Sequence, residues 1–233
     1  MWLKELYKKL KYGVRYSSET YISYLRKIGI NIGCRTTIFD PRTTIIDETR
    51  PWMISIGDDV QITSGVTILS HGFDWSVLKG TYGEVLGSSG GVEIGNNVFI
   101  GMHTTILKGV HIGNNVIVGA NSLVNKNIPD NCVVAGNPCR VVMSLDKYYE
   151  KRKSSQMKEA TELVRLYRKR IGKEPDEVAL HEFFWLFSDE PDTLPDVWQK
   201  MNQITGNEEF TIEVMRKHKK QYKNLDDFLN SIE

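Results

Sequence analysis

The stretch VTILSHGFDWSVLKG, Val66 to Gly80, holds the strongest candidate for proton chemistry in the chain. Of the five histidines, His71 alone stands where a regular repeat gives way to a long irregular segment. Loops of that length carried on a rigid scaffold are where binding and catalytic residues concentrate. A neutral imidazole is the side chain best tuned to accept a proton near pH 7, so His71 is read as a general base for an acceptor that loses a proton as it reacts. Asp74 and Trp75 follow within four residues. An exposed loop offers Trp75 little core to join, and its ring is expected to line the acceptor site.

A nucleophilic route is weaker. Ser70 adjoins His71, but neighbours on an extended strand point to opposite faces, which disfavours a Ser70–His71 dyad. Cys139 is the other candidate nucleophile. Direct proton abstraction from the acceptor by His71 is simpler. Cys34, Cys132 and Cys139 show neither metal-ligand spacing nor a paired framework, which fits a reducing compartment and packing roles.

The element that must position His71 is a repeat. Ile94, Ile100, Ile106, Ile112, Val118 and Val124 fall every sixth residue, with glycine following in IGNN, IGMH, IGNN and VGAN. An α-helix does not return to one face every six residues, whereas short strands joined by tight corners do. The expected architecture is mainly β, a parallel β-helix with one inward apolar residue per strand. IGNNV recurs 18 residues on, from Ile94 to Ile112, giving three hexapeptides per coil. Earlier corners at Ile32 and Ile56 lie 24 and 38 residues from the next, so about six residues near ETRPWM and about twenty between His71 and Gly91 must bulge out as loops. Asn96, Asn97, Asn114 and Asn115 sit at corners that need left-handed backbone angles. The beat dissolves near Asp130. His103 and His111 are eight residues apart, not a multiple of six, and are read as corner or surface residues; no metal is expected.

Residues 1–31 carry two short helical patterns, with Trp2, Leu3, Leu6, Tyr7 and Leu10 on one face, read as a cap on a larger core. Residues 32–144 hold the β-helix, with a protruding loop at 71–91. Residues 145–233 become helical: Tyr148, Met157, Ala160, Val164, Tyr167 and Ile171 run at three-to-four spacing to a stop at Gly172, and HEFFWLF follows Pro175 at a further expected helix start. Lys+Arg of 30 against Asp+Glu of 29 gives no basic footprint for nucleic acid. No apolar run reaches the ~20 residues of a membrane span, and the N-terminus lacks a secretory core, so a cytoplasmic protein is expected.

The run IGNNVFIGMHTTILKGVHIGNNVIVGANSLVNKNIPDNCVVAGNPCRV resembles the hexapeptide-repeat acyltransferases, among them sugar O-acetyltransferases and xenobiotic acetyltransferases. The resemblance covers roughly Ile32 to Val142. It implies a left-handed β-helix, a homotrimer with active sites in clefts between prisms, acetyl-CoA as co-substrate, and a catalytic histidine at the loop entrance held by His71. HGFDWS is similar to the His-x-x-Asp-x-Ser loop of the xenobiotic branch. By position, Phe99 falls where relatives have an aromatic beside the thioester arm. The backbone N–H of Met102 falls at an oxyanion donor, Gly101 and Ala120 along the pantetheine slot, and Lys126 and Arg140 at the nucleotide phosphates. Asp40 and Asp47, with Asp74 and Trp75, fall on the acceptor side. The expected reaction is O-acetylation of a sugar hydroxyl on a surface polysaccharide or its precursor. N-acetylation of an amino sugar, acetylation of an antibiotic, and a non-catalytic β-helix with a helical docking module are the alternatives.

Overall fold

Inward apolar residues at every sixth position close the chain into a three-faced prism, the left-handed parallel β-helix. The computed structural model describes residues 2–232, with side chains from Tyr7 onward. The first face stacks β1 (Asn31–Ile32), β4 (Ile54–Ile56), β9 (Val92–Ile94) and β12 (His111–Ile112). The second stacks β2 (Thr37–Ile38), β5 (Gln61–Ile62), β10 (Val98–Ile100), β13 (Val116–Val118) and β15 (Cys132–Ala135), with β16 (Arg140–Ser144) closing its edge antiparallel. The third stacks β3 (Ile45–Ile46), β6 (Thr67–Ile68), β11 (Thr105–Ile106) and β14 (Leu123–Val124).

Register follows the spacing: Ile32 pairs with Ile56, Ile56 with Ile94 and Ile94 with Ile112. Ile94, Ile100, Ile106, Ile112, Val118 and Val124 are all buried in one continuous core. Each fully buried aliphatic contributes roughly 1.5–3 kcal/mol of transfer free energy. The last coil is shorter than the 18-residue beat. Ile112 meets Ile128, because only three residues turn the corner between Val124 and Ile128.

The corners divide the work between paired residues. Asn97 and Asn115 take φ of +53° and +56°, conformations that Asn tolerates. Asn96 and Asn114 do not; their side chains form a ladder instead. The Asn96 carbonyl oxygen accepts from Asp58 N–H, and that of Asn114 from Asn96 N–H, at 2.8 and 2.9 Å.

At the N-terminus, α1 (Trp2–Tyr12) leads through a 3₁₀ turn to α2 (Ser18–Ile28), capped by Ser17 and ended by Gly29 at φ +108°. Tyr21, Ile22 and Leu25 of α2 enter the prism core. On α1 the expected apolar face is not buried where it is described, since Tyr7 and Leu10 are exposed; Trp2, Leu3 and Leu6 lie outside the described side chains. Arg15 bonds the carbonyls of Pro41 and Thr44 and pairs with Glu48 at 2.8 Å, while Tyr21 and Tyr24 donate to the same carboxylate.

Residues to Tyr148 form one compact unit and residues from Tyr149 a second. The helix α4 (Leu145–Ile171), most of which belongs to the second unit, ends at Gly172 with φ +71°. In this unit Ala160, Val164, Leu180, Phe184, Phe187, Trp198, Met215 and Phe228 build a separate core. His181–Phe187 does not form the expected α-helix: the segment runs as turns into a 3₁₀ turn at Phe184–Leu186, which buries Phe184, Leu186 and Phe187 together. Three short helices follow, α5 (Asp196–Gln203), α6 (Glu208–Lys217) and α7 (Leu225–Asn230).

Candidate active site

Two inserts leave the prism at the same corner, one coil apart. Residues 47–53 link the third face to the first between β3 and β4, and residues 69–91 make the same connection between β6 and β9. The longer insert is an ordered excursion. His71 and Gly72 (β7) pair antiparallel with Ser88 and Ser89 (β8), and Gly90 N–H donates to Ser70 C=O at 2.9 Å. Inside it lies a helix, α3 (Trp75–Tyr82), ended by Gly83 at φ +78°. The expected open loop therefore contains both a hairpin and a helix, and His71 sits on its first strand.

His71 is held from below. Its Nδ1 lies 2.6 Å from Oδ2 of Asp47, the residue that follows β3 one coil beneath. Ser70 donates its hydroxyl and backbone N–H to that same oxygen. The other oxygen, Oδ1, accepts from Thr49 N–H at 3.0 Å and Thr49 Oγ1 at 2.6 Å. Burial pushes the Asp47 carboxyl up, but the bonds from Ser70, Thr49 and His71 outweigh it and hold the group well below the usual carboxylate range. An ionised, acceptor-only Asp47 makes Nδ1 the protonated nitrogen and leaves the lone pair on Nε2. The imidazole is 30 % exposed against 4 % for Asp47, so the carboxylate is sealed while the ring reaches solvent. The arrangement can orient an imidazole to accept a proton at Nε2.

Asp47 was expected on the acceptor side, yet both its oxygens are occupied by protein donors. Ile46 pairs with Ile68, 22 residues on, so the six extra residues expected near ETRPWM divide into four in the 47–53 connection and two at the Asp40 corner, and Asp47 stands under Leu69 with His71 two residues further along. Thr49 and Ser70 carried no signal in the sequence. Ser70 is fully buried and donates to Asp47, which removes it as a nucleophile. Burial raises the Cys139 thiol above its ordinary value.

The other candidates lie elsewhere on the prism. Asp40 is on the corner between the second and third faces, paired with Arg42 at 2.8 Å and bonded by Thr43 Oγ1, and is not brought to His71. Asp74 and Trp75 open α3 beside the histidine; the Trp75 ring packs at 4.7 Å on Phe73, whose side is exposed. Phe99 projects outward from β10, half-exposed. Gly101, Met102 and Ala120 turn the corner after the second face, one coil above another. A Cβ on Gly101 would meet Ala120 N at 2.5 Å, so stacking of the coils already demands glycine there. Lys126 is exposed on the shortened last corner, and exposed Arg140 begins β16 and bonds the Cys139 carbonyl. His103 turns the Met102 corner, and His111 lies on the first face beside Glu93. Among the described residues no group of three or more His, Cys, Asp or Glu side chains could hold a metal ion.

A prism of hexapeptide coils with a carboxylate-held histidine at an opened corner defines a hexapeptide-repeat transferase. A model of the bacterial transferase hexapeptide family (six repeats) matches residues 91–126. Protein CapG of Staphylococcus aureus is 43 % identical over 129 residues, 54 % of this chain and 73 % of that protein. The galactoside O-acetyltransferase of Escherichia coli (strain K12) is 36 % identical over 150 residues, 63 % of this chain and 70 % of that protein. A solved galactoside acetyltransferase in complex with coenzyme A is 26 % identical, covering 64 % of this chain and 82 % of that one, with a TM-score of 0.46. The chain belongs to the hexapeptide-repeat acetyltransferase family.

Proposed function

We propose that the protein transfers the acetyl group of acetyl-CoA to a sugar hydroxyl, with His71 as general base and Asp47 as the residue that orients it. The observation that carries this reading is the His71 Nδ1 to Asp47 Oδ2 pair at the mouth of the 69–91 insert. Similarity to a galactoside O-acetyltransferase supports a sugar acceptor, and exposed Phe73 with Trp75 offers an aromatic wall suited to a pyranose face. The acceptor we have in view is a surface polysaccharide or its precursor, met in the cytoplasm where acetyl-CoA is available.

Nε2 takes the proton of the acceptor hydroxyl as its oxygen attacks the thioester carbonyl. The C–O bond forms, and the developing oxyanion is met by the backbone N–H of Met102. Collapse breaks the C–S bond, and the leaving thiolate takes the proton back from Nε2. Phe99, Gly101 and Ala120 line the thioester arm, while Lys126 and Arg140 meet the nucleotide phosphates.

Within one prism His71 and Met102 lie on different corners, with the whole third face between them. A complete site therefore calls for the histidine corner of one copy against the Met102 corner of another, which favours the homotrimer.

The test is thiol release from acetyl-CoA with a panel of sugars, amino sugars and chloramphenicol-like alcohols. His71→Ala is expected to lose roughly 10²–10⁴-fold in kcat with the best sugar. Equal release by parent and variant would remove His71 as the base, and release driven only by amines would replace the hydroxyl acceptor.

A further inference from the structure

The corner that holds His71 also holds a cation without a partner among the described residues. Arg50 lies in the 47–53 insert, directly after Thr49, whose N–H and hydroxyl bind the Asp47 carboxylate. The Arg50 side chain is half-buried, and its Nη1 is fully occluded with no hydrogen-bond acceptor among the described residues. The two nearest acidic residues in the chain cannot neutralise it. Asp47 is committed to His71, Ser70 and Thr49, and Glu48 to Arg15, Tyr21 and Tyr24. A partly desolvated guanidinium left unpaired is costly, and its fork geometry matches a carboxylate or phosphate. Nothing in the proton-transfer scheme uses it.

The insert is fixed at both ends. Pro51 packs against Gly29, at 3.8 Å from where its Cβ would stand, and the Met53 carbonyl faces Gly91, where the longer insert rejoins the prism. Trp52, two residues beyond Arg50, is 75 % exposed. An unpaired guanidinium, an exposed indole and the His71–Asp47 pair thus share one corner, the combination that would recognise a charged sugar.

We propose that Arg50 is the anion receptor of the acceptor site, and that the sugar presented to His71 carries an oxyanion, either a carboxylate or a phosphate. The proposal deepens the acetyl-transfer reading and rests on it for the role of the site, although the anion preference can be measured without turnover.

Calorimetry on the full chain would compare galactose, galacturonate and galactose 1-phosphate as probes, for the parent and for Arg50→Met and Arg50→Lys. The parent should bind at least one acidic sugar roughly tenfold or more tighter than galactose. Arg50→Met should erase that preference while leaving galactose unchanged, and Arg50→Lys, which keeps the charge and loses the fork, should retain only part of it. Which acid is preferred distinguishes a uronate from a sugar phosphate. Equal affinity for all three sugars in the parent would overturn the proposal. So would an equal loss for all three in Arg50→Met, or, should that variant not fold, an undiminished preference in Arg50→Lys. If no sugar supports thiol release yet the Arg50-dependent preference persists, the transfer reading falls and the receptor stands.

Discussion

His71 and Asp47 are 24 residues apart in sequence and 2.6 Å apart at Nδ1 and Oδ2. The coil beneath delivers the carboxylate, and Ser70 and Thr49 hold it there. Asp47→Asn removes the charge that selects the Nδ1–H tautomer and offers an amide in its place. We expect kcat to fall by roughly 10²-fold or more, approaching loss of the base itself, with KM for acetyl-CoA unchanged. Steady-state thiol release measures both. A variant with parental kcat would show that the ring needs no carboxylate.

The same carboxylate links stability to pH. Its folded-state pKa is depressed, so its contribution is present above the ordinary carboxylate range, about pH 4, and is lost as pH falls through and below that range. Thermal melts of parent and Asp47→Asn should therefore differ most near neutrality, and the gap should begin to narrow as pH falls below about 4, closing only well below the ordinary carboxylate range. A gap that stays constant with pH would mean that Asp47 acts by packing alone.

Spacing made the prism legible because one inward residue per six is a rigid geometric demand, and Ile32, Ile56, Ile94 and Ile112 stack as their separations require. The shortened coil from Ile112 to Ile128 was hidden, since a corner of three residues leaves no apolar mark. Helix α3 was hidden because two turns are too few for a helical period to show, and its side chains are partly or fully exposed. Aromatic HEFFWLF read as a helix because apolar density alone cannot tell a helix from a 3₁₀ turn buried by its neighbours. At the site, His71 was visible as the residue at the break. Asp47 was visible only as a residue, because its role depends on which coil lies under which.

Gly101 tests whether its small size serves the coils or the donor slot. Its missing Cβ faces Ala120 N at 2.5 Å and Val118 O at 2.8 Å, backbone atoms that cannot swing away. Gly101→Ala should destabilise the prism by roughly 1–3 kcal/mol, seen as a lower midpoint in urea or heat. Gly80→Ala, inside α3 with open space around it, should be neutral or slightly stabilising. Equal midpoints for Gly101→Ala and the parent would assign that glycine to ligand access instead.

Placement of His71 and Met102 on different corners predicts complementation between defective chains. His71→Ala removes the base from one corner, and Ala120→Trp fills the exposed slot on the other. Each homogeneous variant should be inactive. If every site combines two copies, mixed assembly from equal amounts leaves about a quarter of the sites with both corners intact. Co-refolding or co-expression should then recover about that fraction of parental thiol release, and the recovered activity should elute with a hetero-oligomer carrying both tags. If each prism carries its own complete site, mixing restores nothing, and the shared-site arrangement fails even though each variant remains folded and assembled.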